Sequence, residues 1–450
     1  MRRPSGDLAE SGIPWLGPIP RHWQLVPFRA LVDERTERND GAKVTEYLSL
    51  MANVGVIPYE EKGDVGNKKP EDLSKCKMVQ RGDLLINSMN YGIGSFGLSA
   101  YSGVCSSVYI VLRPKTDVVD VSFAHRLLQS RAFQVYAQSF GNGILAHRAA
   151  IGWNTLKSLP MPLPPIAEQT AIAAFLTREV GKIEALLGEQ DLLVELLKEK
   201  RQAIVDHAVT KGLNPDVRMK PTGVEWLADV PGHWRVLPLR RLIRSIDQGW
   251  SPQAYDREPA DGEPSVLRLS AIKDGHFRPE QRKALPDLRL EDLHDALLVK
   301  AGDLLLTRAN TPLLVGDCAI ATEVSDTIFS DLIYRLRVDE LEALPSYLLY
   351  TLRSSGLRGQ VRRDARGASM TMAKIAHGHI KSWVAAIPPL EEQRMIVDHL
   401  EMELETLADV QQEIEKSSAL LHERKVALIA DAVTGKLDVH IGNRVEDLVA

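Results

Sequence analysis

The sequence predicts a duplicated α/β (α+β) architecture. Two mixed globules are each followed by one long helix, and the two helices pair as an antiparallel coiled coil about an internal pseudo-twofold. Three observations predict it: a repeat at about half the chain length, prolines in front of each helical tract, and apolar residues spaced by sevens inside both tracts.

The repeat sets the order of elements. Gly12-Ile13-Pro14-Trp15-Leu16 through His22-Trp23 returns 211 residues later as Gly223-Val224-Glu225-Trp226-Leu227 through His233-Trp234. Gly82-Asp83-Leu84-Leu85 returns as Gly302-Asp303-Leu304-Leu305, offset by 220. Pro164-Pro165-Ile166-Ala167-Glu168-Gln169 returns as Pro388-Pro389-Leu390-Glu391-Glu392-Gln393, offset by 224, so the second copy has gained residues by insertion. The first globule is expected over 1–165, its helix over 166–212, the second globule with its linker over 213–388, its helix over 389–438, and a tail over 439–450. Short apolar runs such as 108–112 and 332–336, punctuated by Gly and Pro, read as strands, and 122–138 reads as helical.

Both helical tracts begin after prolines, with Glu168 placed to favour the dipole of the first turn. In the first, Leu176, Ile183, Gln190, Leu197 and Ile204 are seven apart; in the second, Leu400, Leu407, Ile414, Leu421 and Leu428 are. Val180, Leu187 and Val194 supply the other half of the first seam, whereas Leu404 is followed by Gln411 and Ser418 in the second. A helix of roughly 42 residues is ~60 Å long, more than one small globule covers, so a partner helix is expected. Gln190 interrupts an apolar seam and reads as a register-setting contact.

Composition excludes several classes. With 44% hydrophobic and 26% charged residues, the chain is globular rather than disordered or collagen-like. Cys76, Cys105 and Cys318 are odd in number and far apart, which leaves no disulfide framework and no CxxC zinc site and fits a reducing cytoplasm. No signal peptide or membrane-length apolar run is visible. The net charge of −5 is unevenly spread: residues 1–165 carry +4 and residues 389–450 carry −8. A local basic surface for a phosphate backbone is therefore compatible with an acidic total.

Catalytic apparatus is not evident. Gly92-Ile93-Gly94-Ser95-Phe96-Gly97 matches GxGxxG, but no helix pattern follows it and the second copy keeps Gly316 alone, so a dinucleotide site is not expected. There is no GxxxxGK[ST] and no Asn/Asp-Pro-Pro-aromatic tetrapeptide. His377-Gly378-His379 lacks acidic or Cys partners at ligand spacing and reads as a surface segment, and no base can be assigned to Cys105. No metal site is expected.

What remains is a recognition surface. Arg353, Arg358, Arg362, Arg363 and Arg366 fall within fourteen residues that hold one acid, Asp364. Guanidinium groups grip phosphate or read a guanine edge. The corresponding stretch of the first copy offers Gln138, Asn142, His147 and Arg148. After each Gly-Asp-Leu-Leu strand comes a polar loop: Asn87, Ser88, Asn90 and Tyr91 in one copy, Thr307, Arg308, Asn310 and Thr311 in the other. Different polar groups at equivalent places suggest that two different DNA sequences are read.

In this organisation the chain resembles the specificity subunits of type I restriction-modification systems. The Trp…His-Trp openings, the Gly-Asp-Leu-Leu strands and the Pro-Pro-x-x-Glu-Gln helix starts carry the resemblance, in duplicate and in order. It implies two target-recognition domains, each reading one half of a bipartite asymmetric site on double-stranded DNA. It also implies a helical spacer between them, two modification (methyltransferase) subunits held by it, and restriction/translocase subunits joining the complex. S-adenosylmethionine, ATP and Mg are then expected in those partners, with no cofactor and no catalysis in this chain. The alternatives are a coiled-coil interaction scaffold that does not read DNA, against which the arginine cluster argues, and a self-contained nucleic-acid enzyme, which would need chemistry the sequence does not display.

Overall fold

A computed structural model describes residues 7–65, 68–141, 150–224, 226–227, 229–369 and 372–439. The chain forms two compact units, Met1–Asp191 with Glu415–Ala450, and Leu192–Ile414. The segments expected from the sequence are thus grouped differently: each unit takes part of both long helices along with its globule.

Each unit is built on a four-stranded antiparallel sheet of the same order. In the first, Val32–Glu34, Tyr109–Pro114, Leu84–Asn87 and Phe96–Leu98 lie side by side; in the second, Ile243–Gln248, Ile333–Val338, Leu304–Thr307 and Cys318–Ile320 do. The register repeats too, with Leu84 opposite Leu112 and Leu304 opposite Leu336. The Gly-Asp-Leu-Leu sequence explains itself locally. Gly82 and Gly302 take φ of 94° and 87°, a conformation glycine adopts without penalty. Asp83 and Asp303 then accept from the backbone N–H of Gln80 and Lys300 at 2.7 and 2.8 Å, closing the turn into the strand.

The same carboxylates hold arginines that come from different places. Asp83 accepts from Arg35 Nε at 2.7 Å, whereas Asp303 accepts from Arg335 Nη1 at 3.1 Å. The Arg335 side chain is 0% exposed; it also pairs with Asp247 at 3.0 Å and donates to the carbonyls of Leu298 and Ala296. A fully buried guanidinium is tolerable only with such complete pairing.

Helices cover one face of each sheet. The stretch expected as one helix over 122–138 is two, Val121–Gln129 and Arg131–Gln138, broken where Ser130 turns to ψ 116°. The second unit breaks likewise at Ser354, between Pro345–Arg353 and Ser355–Asp364.

The long helices run Ile166–Lys211 and Leu390–Val433, and Gly212 and Gly435 follow them with φ of 74° and 72°. In the first unit Leu176, Val180 and Ile183 share the core with Leu428, Ile429, Ala432 and Val433. In the second, Val205, Ala208 and Val209 share it with Ile396, Val397 and Leu400. In the first unit the two segments are antiparallel, since Glu184 meets Lys425 while Gln190, further along, meets Ser417. Of the heptad positions, Leu176, Ile183, Leu197, Leu400, Leu407 and Leu428 are buried, while Gln190, Ile204, Ile414 and Leu421 are half-buried. Gln190 donates to Ser417 Oγ at 2.9 Å and accepts from Ser418 Oγ at 2.6 Å, so the polar break of one helix meets that of the other. Lys425 and Glu184 pair at 2.7 Å beside it.

The Pro-Pro-x-x-Glu-Gln starts are joints. Glu168 accepts from Trp23 Nε1 at 3.0 Å and meets His22 at 2.8 Å; Glu392 does the same with Trp234 at 3.0 Å and His233 at 2.7 Å. Buried Gln169 accepts from the N–H of Asp120 and donates to the carbonyls of Pro164 and Val118. Gln393 repeats this with Leu344, Pro388 and Glu342. Glutamate fastens the helix to the opening motif, and glutamine fastens it to the chain entering the covering helices.

Candidate nucleic-acid interface

The loop leaving the central strand of each sheet is where the sequence placed its polar readers. In the first unit two of them turn inward. Asn87 is buried, and its Oδ1 accepts from the N–H of Met89 at 3.2 Å; Tyr91 is buried and donates its hydroxyl to the carbonyl of Leu128 at 3.1 Å. Asn87 Oδ1 closes the turn and the Tyr91 hydroxyl anchors it to the covering helix, so both expected readers are engaged within the fold. Ser88 is half-buried and reaches the carbonyl of Val108. Asn90 is half-buried, and its side-chain amide makes no hydrogen bond among the described residues. Gly92 lies beneath Gln138, where a Cβ would fall 1.7 Å from the amide nitrogen, and its carbonyl accepts from Arg131. The tip is therefore fixed, with Met89 and Ile93 exposed upon it. Asn142, His147 and Arg148 lie outside the described residues.

In the second unit Thr307 is 0% exposed and donates to the carbonyl of Leu314 at 3.1 Å, so it too is a turn-closing group rather than a reader. Arg308 donates to the carbonyl of Asp331 at 3.2 Å and lies over the Tyr334 ring at 5.8 Å. Asn310 accepts from the N–H of Thr311, which is exposed.

The arginine cluster is dispersed by the fold. Arg358 donates to the carbonyls of Val315 and Leu313, both at 2.9 Å, and burial pushes its pKa down. Two of its five N–H groups are committed to the Leu313–Val315 loop, so the half-buried side chain braces that loop. Arg353 lies against Gly275, and its carbonyl accepts from Gln202. Arg363 pairs with Asp364 at 2.9 Å. Asp364 is held below the usual carboxylate range by that contact, against the opposing effect of burial and with help from Trp383 Nε1 at 3.0 Å. Arg366 opens the strand Arg366–Ser369, and its side chain is outside the described residues. Arg362 alone of the four described is exposed without a hydrogen bond or ion pair among the described residues. Arg358 and Arg363 are directed to different partners, the loop carbonyls and Asp364.

Burial pushes the Cys105 and Cys318 thiols up to about 12, away from the thiolate a reactive cysteine needs. Among the described residues no three His, Cys, Asp or Glu side chains gather as metal ligands. No helix among them is long and apolar enough to cross a membrane.

Comparison with known proteins agrees with this arrangement. Residues 41–190 match the type I restriction modification DNA specificity domain. The chain is 25% identical over 361 residues to the specificity subunit of the type I restriction enzyme EcoKI of Escherichia coli K12, covering 76% of this chain and 70% of the relative. Among solved structures it is similar to a chain from a study of complex assembly and conformational transition in a type I R-M system. That likeness has a TM-score of 0.64 at 19% identity and covers 93% of this chain and 99% of the other. It is also similar to the HsdS subunit of Thermoanaerobacter tengcongensis, with a TM-score of 0.50 at 19% identity over 93% and 98%. The duplicated scaffold and these likenesses agree: residues 41–190 carry the match to a type I restriction modification DNA specificity domain, and most of the chain is similar to type I specificity subunits.

Proposed function

We propose that the chain reads a bipartite, asymmetric site on double-stranded DNA, one half with each unit, while the paired helices set the unread gap and hold two modification subunits, which restriction subunits join. The chain performs no chemistry itself; methyl transfer to a flipped adenine and ATP-driven steps belong to the partners. One observation carries the reading: the two sheets share strand order and register, yet the loops leaving their central strands present different polar groups, Asn90 in one and Arg308, Asn310 and Thr311 in the other. Scaffold identity with loop divergence is what two readers of different sequences require, since base edges specify while phosphates only position.

Mapping methylated adenines in the host genome tests it. A motif of two defined halves around a fixed undefined gap supports the reading; a continuous motif, or none, overturns it. Replacing Arg362 and Arg363 by Ala should weaken discrimination at one half only. Equal loss at both halves contradicts the modular reading. Normal assembly with the modification subunit but no footprint on DNA would favour a scaffold that does not read sequence.

A further inference from the structure

His377-Gly378-His379 reads from the sequence as a surface segment, and the proposed function does not use it. In the second unit it opens the short helix His377–Ser382 and, with Gln248, Arg308, Tyr334 and Lys374, lines an open groove. Gln248 and Tyr334 face each other across neighbouring strands, and Arg308 directly follows the central strand, so the groove sits where the polar loop leaves the sheet. Four lining side chains are basic or imidazole, and none is a carboxylate.

Two further observations point to a ligand. His377 Nε2 and His379 Nδ1 are covered by the protein, yet neither meets a hydrogen-bond partner among the described residues. Buried polar atoms without partners are rare in folded proteins and mark places where something is missing. The second concerns the repeat. Ile151 and Ile375 donate their N–H groups to the carbonyls of Ser88 and Arg308 respectively, which fixes the correspondence of the two copies. Arg308, Lys374, His377 and His379 then stand where the first unit has Ser88, Ala150, Trp153 and Thr155. The scaffold forms without the charge, so its presence in one copy is not a folding requirement.

We infer that this groove is a phosphodiester subsite of the second unit, in which Arg308 and Lys374, flanked by the two imidazoles, grip a backbone phosphate of the DNA that the chain is proposed to read. An array of cationic and N–H donors without an opposing carboxylate suits an anion, and the contact positions the second unit without reading sequence. The inference rests on the DNA-reading function above, and its test separates the two.

The full chain, assembled with its modification subunit because the chain alone is expected to bind DNA poorly, is titrated with fluorescent duplex DNA at several salt concentrations, as parent, Lys374→Gln, His377→Gln and the double variant. Thermal melting confirms that each is folded. Lys374 is exposed, so its replacement leaves the core intact. The expected result is affinity several-fold lower for every duplex, with a salt slope smaller by about 1 on loss of Lys374. If the parent binds DNA and the variants match it in affinity and slope, the groove assignment is wrong and DNA reading stands. Should the parent bind no duplex at all, DNA reading fails and the groove assignment falls with it. A loss confined to duplexes altered at one base pair would mean base reading and also overturn the proposal. Inorganic phosphate, titrated separately, distinguishes a free-anion site: phosphate binding abolished in the variants while DNA binding is untouched overturns the DNA assignment.

Discussion

A guanidinium that donates to two carbonyls of one loop fixes that loop in a way an ammonium cannot, because its donors form a planar fork. Arg358 does this for Leu313 and Val315, so Arg358→Lys removes one of two charged hydrogen bonds, each worth about 1.5–3 kcal/mol. The expected outcome is reduced discrimination at the second half-site with the first unchanged, read by competition between duplexes altered in either half. Unaltered discrimination would show that the loop holds its shape without the clamp. His125 gives a pH effect. Burial and the neighbouring Arg126 lower its pKa from 6.5 to about 4. Between those values the unfolded chain binds the proton and the folded chain does not, so stability rises with pH across that window and is lost as pH falls through it. The effect is at most about 3 kcal/mol, and the urea midpoint should fall between pH 7 and pH 5 in the parent but much less in His125→Gln. At this scale the sequence placed polar loops after the central strands but did not show which of their side chains face out. Asn87 and Thr307 sit at the last position of buried strands, where the turn that follows needs a side-chain hydrogen bond of its own. A polar residue there looks the same in sequence whether it closes the turn or meets a ligand.

Elements were more legible than residues. Heptad spacing is a property of one helix alone, so the seams could be read directly. The partner of each seam position depends on residues more than two hundred positions away, and the meeting of Gln190 with Ser417 and Ser418 could not be read from either helix. The break of 122–138 into two helices at Ser130 was hidden for a related reason, since both halves share one apolar period and only the backbone reversal separates them. Replacing Leu407 and Leu421 by Asp sets two carboxylates into the seam, one at a buried and one at a half-buried position. Burying an unpaired charge costs several kcal/mol, so the helices should part and the modification subunit should no longer co-purify. A complex recovered in normal yield would contradict the pairing as the basis of assembly.

For the whole molecule, the duplication was visible in the sequence and the composition of the units was not. Repeat boundaries follow the chain, whereas a compact unit follows burial, and burial assigns Glu415–Ala450 to the first unit. Deleting residues 415–450 should therefore leave the second unit folded and unfold the first, which loses Leu428, Ile429, Ala432 and Val433 from its core. Denaturation followed by a probe in each unit tests this; retention of both transitions would show the first unit to be self-sufficient. The shared core also reverses the order of completion during biosynthesis. The portion translated first keeps an apolar flank open while more than two hundred further residues leave the ribosome, and its neighbour, complete by Ile414, is finished before it. Slow, long-range closure of this kind exposes a nascent chain to aggregation, so the first unit is expected to gain protease resistance only after residues 415–439 have been made.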